Sequence, residues 1–66
     1  MTSLGEELPK EQARVRELLV AYQSIGVPGR FGAIMIEQAL QRADRAVMSG
    51  DVVSMIQSYN ELKECE

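Results

Sequence analysis

The stretch AVMSGDVVSMIQSYNEL, residues 46–62, decides the fold that the sequence predicts. Gly50 is a favourable residue just past the end of a helix, because glycine adopts left-handed backbone angles without strain. Asp51 is a favourable N-cap for the helix that follows, since its side chain can accept hydrogen bonds from the first free backbone N–H groups. So short a connection between two helices predicts an antiparallel helical hairpin.

The second helix of this hairpin is predicted over about residues 51–64. Its apolar residues recur at helical spacing and form one stripe: Val52, Met55, Ile56, Tyr59 and Leu62. The polar residues between them are expected on the opposite face: Ser54, Gln57, Ser58, Asn60 and Glu61.

The first helix of the hairpin is predicted over about residues 30–48. It carries a broad apolar face: Phe31, Met35, Ile36, Ala39, Leu40, Ala43, Ala46 and Val47. The alanines would let a neighbouring helix approach closely, and the width of the face predicts a central helix that contacts two others. Its other face is polar: Glu37, Gln38, Gln41, Asp44 and Arg45.

A further helix is predicted upstream, over about residues 9–25, with an apolar stripe formed by Val15, Leu18, Leu19, Tyr22 and Ile25. Pro9 suits the first helical position, and Gly26 suits a left-handed stop. Residues 1–8 have no such pattern and are expected to be flexible. No alternating strand pattern occurs, so residues 1–66 are predicted to form a single all-α domain, a small three-helix bundle.

The loop GVPGRFGA, residues 26–33, is predicted to be a structural corner between the first two helices. Pro28 would make the turn rigid, Gly29 would allow a sharp reversal, and Phe31 would plug the open end of the bundle. Glycine at position 32, near the start of a helix, lowers helix stability relative to alanine. Its presence there indicates close approach to its backbone by the first helix or by another subunit. GRFG echoes the G-x-x-G loop of KH domains, but phosphate or nucleic-acid binding here is disfavoured because the expected strands are absent.

The hairpin turn resembles that of tetratricopeptide repeats at Gly50, Asp51, Ile56 and Tyr59. Met55 stands where that family prefers alanine. Only one such hairpin fits in the chain, whereas a solenoid needs about three repeats, so the likeness is interpreted as shared turn physics.

A second resemblance extends from Leu18 to Glu66. The segments FGA, MIEQ, ADRA, SGDVV and YNELKE are similar to segments of small uncharacterised helical proteins of bacterial prophages. That resemblance implies a small accessory protein encoded by a phage or prophage, and it implies no assigned activity and no functional residue.

Composition argues against an enzyme, a cofactor site and a metal site. The chain has no histidine for acid–base work at neutral pH, and its one cysteine, Cys65, lies next to last without a positioned base. One thiol can form neither an internal disulfide nor a tetrahedral zinc site. Asp44 and Glu37 are interpreted as solvated charges. The N-terminus does not resemble a signal peptide and no apolar run could span a membrane, so a reduced cytoplasmic location is expected.

Function is therefore predicted to lie in protein–protein contact. A chain of 66 residues has a thin core, and Val20, Ile34 and Met48 lie off the main apolar faces, which predicts self-association, most simply as a twofold dimer. The predicted contact surface comprises Val20, Arg30, Phe31 and Ile34, with Phe31 as the apolar anchor and Arg30 as a rim charge. Whether a second copy or a different protein covers it stays open at this point.

Two other classes remain as alternatives. A nucleic-acid-associated regulator would use Arg30, Arg42 and Arg45, although a net charge of −3 argues against it. A small-molecule carrier would need a cavity larger than so small a core is expected to enclose.

Overall fold

The computed structural model describes residues 3–65, which form an all-α three-helix bundle with each helix packed against both others. Helix α1 spans Leu4–Ile25, α2 spans Arg30–Ser49 and α3 spans Val52–Lys63. A single turn of 3-10 helix, Val27–Gly29, connects α1 to α2. No strand occurs in residues 3–65, so the predicted fold class is confirmed.

The turn between α2 and α3 has the predicted structure. Gly50 takes left-handed angles, φ 69° and ψ 15°, and its backbone N–H donates to the carbonyl oxygens of Ala46 (3.1 Å) and Val47 (3.3 Å). The carboxylate of Asp51 accepts a hydrogen bond from the backbone N–H of Val53 at 3.1 Å. Residue types with these conformational and capping preferences therefore fix the hairpin.

The predicted start of the first helix at Pro9 is wrong, because α1 begins at Leu4 and Pro9 lies inside it. Proline lacks the N–H that would bond the carbonyl of Gly5, so the helix loses a hydrogen bond here. Leu8 is fully buried, and this burial stabilises the extra turn. Of the segment 1–8 that was expected to be flexible, residues 1 and 2 lie outside the described part of the chain.

The core runs along the seam where the three helices meet. It is built from seven buried residues: Leu8, Val15, Ile36, Ala39, Leu40, Ala43 and Leu62. The predicted role of the alanines is confirmed, since the α2 alanines at the seam are buried between the helices. Partly buried side chains pack around this cluster: Leu4, Leu18, Leu19, Tyr22, Met55, Tyr59 and Cys65.

Several residues predicted to lie in the core are exposed: Ile25, Phe31, Met35, Val47, Val52 and Ile56. Phe31 is 76% exposed, so it does not plug the end of the bundle. For the three at the α1–α2 end, Ile25, Phe31 and Met35, the reason is helix length: α3 has 12 residues and α2 has 20, about 18 Å against about 30 Å at 1.5 Å per residue. Helix α3 therefore stops short of the end where α1 and α2 are connected.

Helix α3 is also rotated relative to the predicted stripe. Ser58, which was expected to face outward, is buried together with Leu62, while Val52 and Ile56 lie outside. Because serine is small, position 58 can pack closely against α2. This close packing favours the orientation of α3 in which Ser58 and Leu62 face inward. No helix within residues 3–65 combines the length and apolar character needed to cross a membrane.

Candidate protein-interaction surface

The most unusual feature of the protein surface is its number of exposed large apolar side chains. Eleven are exposed in residues 3–65: Val20, Ile25, Val27, Phe31, Ile34, Met35, Val47, Met48, Val52, Val53 and Ile56. Five large apolar side chains are buried there, Leu8, Val15, Ile36, Leu40 and Leu62, and six more pack against them partly buried. Single exposed apolar residues are ordinary on a protein surface, but so large a number indicates surface available for contact.

These side chains fall at two ends of the fold. Six belong to the connection between α1 and α2 and the adjoining turns, from Val20 to Met35. Five surround the turn between α2 and α3, from Val47 to Ile56. Ile34 and Met48 are 14 residues apart on α2, about 21 Å along the axis. The off-face residues therefore do not form one patch, because Met48 lies at the other end.

The α1–α2 connection is held tightly by glycines. An ideal Cβ at Gly29 would collide with the carbonyl oxygen of Tyr22, and one at Gly32 would lie 2.5 Å from a ring carbon of Tyr22. The prediction of close approach at Gly32 is confirmed, and α1 is the element that approaches. Gly29 has a negative φ of −89°, which any residue can adopt, so glycine is required there by the lack of space for a side chain and not by a sharp reversal. Gly26 has φ 86° and ψ −140°, a region open mainly to glycine.

A groove runs between the end of α1 and the start of α2. We call it the α1–α2 groove, and its lining comprises Gln23, Gly26, Val27, Arg30, Ala33, Ile34 and Glu37. Of the four predicted contact residues, Arg30 and Ile34 line it together. Val20 (64% exposed) and Phe31 are exposed outside its lining.

Sequence reasoning missed Val27 and Glu37 as members of this surface. Val27 is 80% exposed on the connecting turn. Glu37 follows Ile34 by three residues and Arg30 by seven, so the three lie on one face of α2. That spacing was available in the sequence and is the signal that could have added Glu37.

The two charged residues of the groove are not used inside the bundle. Neither Arg30 nor Glu37 forms an ion pair or side-chain hydrogen bond with another residue of the described range 3–65. By contrast, Arg16 pairs with Asp44 at 2.9 Å and joins α1 to α2. The groove thus offers one free charge of each sign.

The three arginines of the nucleic-acid alternative do not form one patch. The Nε of Arg42 donates to Glu61 at 3.0 Å, which joins α2 to α3. Arg42 and Arg45 line a separate polar groove between those helices. Arg30 lies 12 residues before Arg42, about 18 Å away along α2.

Asp44 remains partly exposed to solvent, as expected, but its charge is also paired, which was not predicted. Its carboxylate accepts hydrogen bonds from the amide of Gln12 (2.8 Å) and from the guanidinium of Arg16 (3.0 and 2.9 Å). Gln12 and Arg16 lie one turn apart on α1, so together they fix the register of α1 against α2. Within residues 3–65, no three His, Cys, Asp or Glu side chains are grouped so as to hold a metal ion.

The chain at Cys65 is held in place by hydrogen bonds to α1. The guanidinium of Arg14 donates to the carbonyl oxygens of Leu62 (2.9 Å) and Cys65 (3.2 Å), and Glu11 accepts from its Nε at 2.8 Å. Partial burial raises the pKa of the Cys65 thiol, and the nearby carboxylate of Glu61 raises it further. This environment disfavours the reactive thiolate.

A comparison of the chain with known protein families, with curated proteins and with solved structures finds no match.

Proposed function

We propose that this protein is a non-catalytic interaction module that assembles with itself, as a dimer, through the surface around the α1–α2 groove. The observation that carries the proposal is the number of exposed large apolar side chains, eleven in residues 3–65 against five that are buried and six that are partly buried. A chain of 66 residues buries only about 60% of the surface of its unfolded state. Contact with a second copy would remove further apolar surface from water and stabilise the fold.

The α1–α2 end is the better of the two exposed ends for such contact. Phe31 is the only phenylalanine of the chain and is 76% exposed, and aromatic side chains are enriched among residues that dominate binding energy. Ile34 lies one turn further along α2 and lines the α1–α2 groove. Val20 flanks this surface on α1, and Arg30 supplies a charge at its rim.

The setting proposed for this module is a reduced cytoplasm, and its single cysteine supports that proposal. The resemblance of residues 18–66 to small prophage proteins extends the proposal to an accessory protein encoded by a phage or prophage. Its role there would be assembly, since the composition argues against catalysis.

Point substitutions on α2 test the interface. We expect Ile34→Glu to shift the molar mass measured by light scattering from dimer to monomer, because it places a carboxylate in an apolar contact. Met48→Glu is the matched control, since Met48 is 87% exposed at the other end of α2. Dissociation by Met48→Glu alone would contradict the proposed surface, and a monomeric wild-type protein would contradict self-association.

The nucleic-acid alternative has a separate test. Arg42 and Arg45 share a groove, but Arg42 is already paired with Glu61. Binding to DNA or RNA that weakens steeply with added salt would support that alternative. No retention on either nucleic acid at low salt would remove it.

A further inference from the structure

We propose that the second copy docks antiparallel along α2, with the twofold axis beside Ala33 and Ile34, so that Arg30 of each copy faces Glu37 of the other. This inference rests on the proposed self-association and specifies its geometry. It names the partner of the α1–α2 groove as the same groove on an identical chain.

The argument begins with the spacing of three residues on α2. Arg30, Ile34 and Glu37 lie on one face, and the two charges are about 10 Å apart along the axis at 1.5 Å per residue. The midpoint between them falls at Ala33 and Ile34. A twofold rotation about that midpoint brings each arginine onto the glutamate of the other copy.

A parallel arrangement would have the opposite effect. It would bring Arg30 against Arg30 and Glu37 against Glu37, and like charges in contact oppose association. Neither charge has an ion-pair partner within residues 3–65, so in either arrangement each would lie, not neutralised by its own chain, opposite a charge of the second copy. The antiparallel arrangement is therefore the one that this surface favours.

The residues at the proposed axis permit close contact. Ala33 is small and lies at the floor of the groove, being only 8% exposed, whereas Ile34 is 48% exposed and projects from it. A small residue beside a projecting apolar one lets two helices approach at the usual 8–10 Å. Val27, which is 80% exposed, adds apolar surface at the same groove.

Self-complementarity favours a second copy over a foreign protein. A twofold interface uses the same patch on both subunits, so that patch must carry both members of any ion pair. The α1–α2 groove does so with one arginine and one glutamate. A strongly acidic or basic partner would be complemented by a groove whose charges all have the opposite sign. The α1–α2 groove carries one charge of each sign, so it does not fit such a partner.

Interface size indicates that flanking residues take part. Stable interfaces bury about 800 Å² per partner from about 20–30 residues, and the whole chain exposes 4600 Å². The groove lining alone is too small for this. Val20 and Phe31 are exposed beside it and are expected to enlarge the contact, together with further residues of α1 and α2.

Charge reversal is the decisive experiment, measured as the dimer dissociation constant by sedimentation equilibrium. Arg30→Glu and Glu37→Arg should each weaken the dimer by about tenfold or more, because each places like charges opposite one another. The double variant Arg30→Glu/Glu37→Arg should return close to wild type, since the pair is restored with its signs exchanged. Arg45→Glu is the matched control and should have little effect, since Arg45 has no ion pair within residues 3–65 and lies about 17 Å from the axis along α2.

Failure of this inference can be distinguished from failure of the proposed function. A wild-type protein that is monomeric at all concentrations overturns both. A dimer that Ile34→Glu dissociates, but in which the double variant shows no rescue, overturns only the antiparallel geometry. Circular dichroism of every variant checks that the helices are retained.

A cross-linking measurement tests the axis independently. In a Cys65→Ser background, Ile34→Cys should form a disulfide-linked dimer on mild oxidation, because residues at a twofold axis approach their own copies. Met48→Cys in the same background should remain unlinked. Efficient linkage through position 48 and none through position 34 would overturn the proposed axis.

Discussion

The ring of Tyr22 occupies the space where a side chain at Gly32 would begin, with a ring carbon 2.5 Å from the position of an ideal Cβ. This contact sets how closely the end of α1 approaches the start of α2. It therefore shapes the α1–α2 groove, since that groove is bounded by the same two helix ends.

Gly32→Ala should destabilise the protein although alanine is the better helix former. The helix-propensity gain is about 1 kcal/mol, whereas displacing the ring of Tyr22 costs about 1–3 kcal/mol, so a net loss of about 1 kcal/mol is expected. The midpoint of urea unfolding measures it. Gly5→Ala is the control, because the nearest atom to its Cβ is Ser3 Oγ at 3.8 Å, and it should stabilise by about 0.5 kcal/mol. Equal stabilisation by both changes would contradict this account.

Arg14→Ala should lower the free energy of unfolding by about 1–2 kcal/mol, because charge-assisted hydrogen bonds to the end of α3 are lost. Arg14→Lys should recover only part of the loss, since lysine cannot reach two carbonyl groups with one planar fork. Urea unfolding at constant pH provides the measurement. Arg45→Ala, which removes no described hydrogen bond, should be neutral, and an equal loss there would contradict the capping role.

Asp51 should make stability depend on pH. The Ser54 hydroxyl donates to its carboxylate at 2.8 Å and the backbone N–H of Val53 donates at 3.1 Å, and these hydrogen bonds lower the pKa of the carboxyl. A carboxyl whose pKa is lower in the folded state stabilises the fold at neutral pH, and this stabilisation is lost as the pH falls through that lowered value. Asp51→Asn should cap the helix without that pH dependence. The difference in urea midpoint between wild type and Asp51→Asn should therefore shrink between pH 7 and pH 3, and a constant difference would contradict it.

Cys65 should react slowly with alkylating agents in the folded protein. Burial and the carboxylate of Glu61 raise the pKa of the thiol, so less thiolate is present at a given pH. The rate with iodoacetamide at pH 8 should be lower in buffer than in denaturing urea, and its pH midpoint should be higher. A folded protein that reacts as fast as the unfolded chain would show that the thiol is not shielded.

Local chemistry explains which parts of the fold were predictable. Gly50 and Asp51 have preferences that act within a few residues, so the α2–α3 turn could be predicted from the sequence alone. The start of α1 could not, because a proline inside a helix is tolerated only when tertiary burial, here of Leu8, offsets the lost hydrogen bond. That burial depends on the rest of the bundle.

The candidate surface was predictable in part for a similar reason. Periodicity identified Ile34 as lying off the main face of α2, and the structure places it in a groove with Arg30. Periodicity could not reveal that Phe31 is exposed, because this follows from where α3 ends against the longer α2. Periodicity also could not predict the ion pair between Asp44 and Arg16, because that prediction needs the register of α1 against the antiparallel α2.

Self-association of this chain is measured by the molar mass of the wild-type protein in solution. Light scattering on a size-exclusion column, with reductant present and over a range of protein concentrations, should give about twice the chain mass of 7.3 kDa at the higher concentrations. A mass of 7.3 kDa at every concentration would show that the protein is a monomer and rule out self-association.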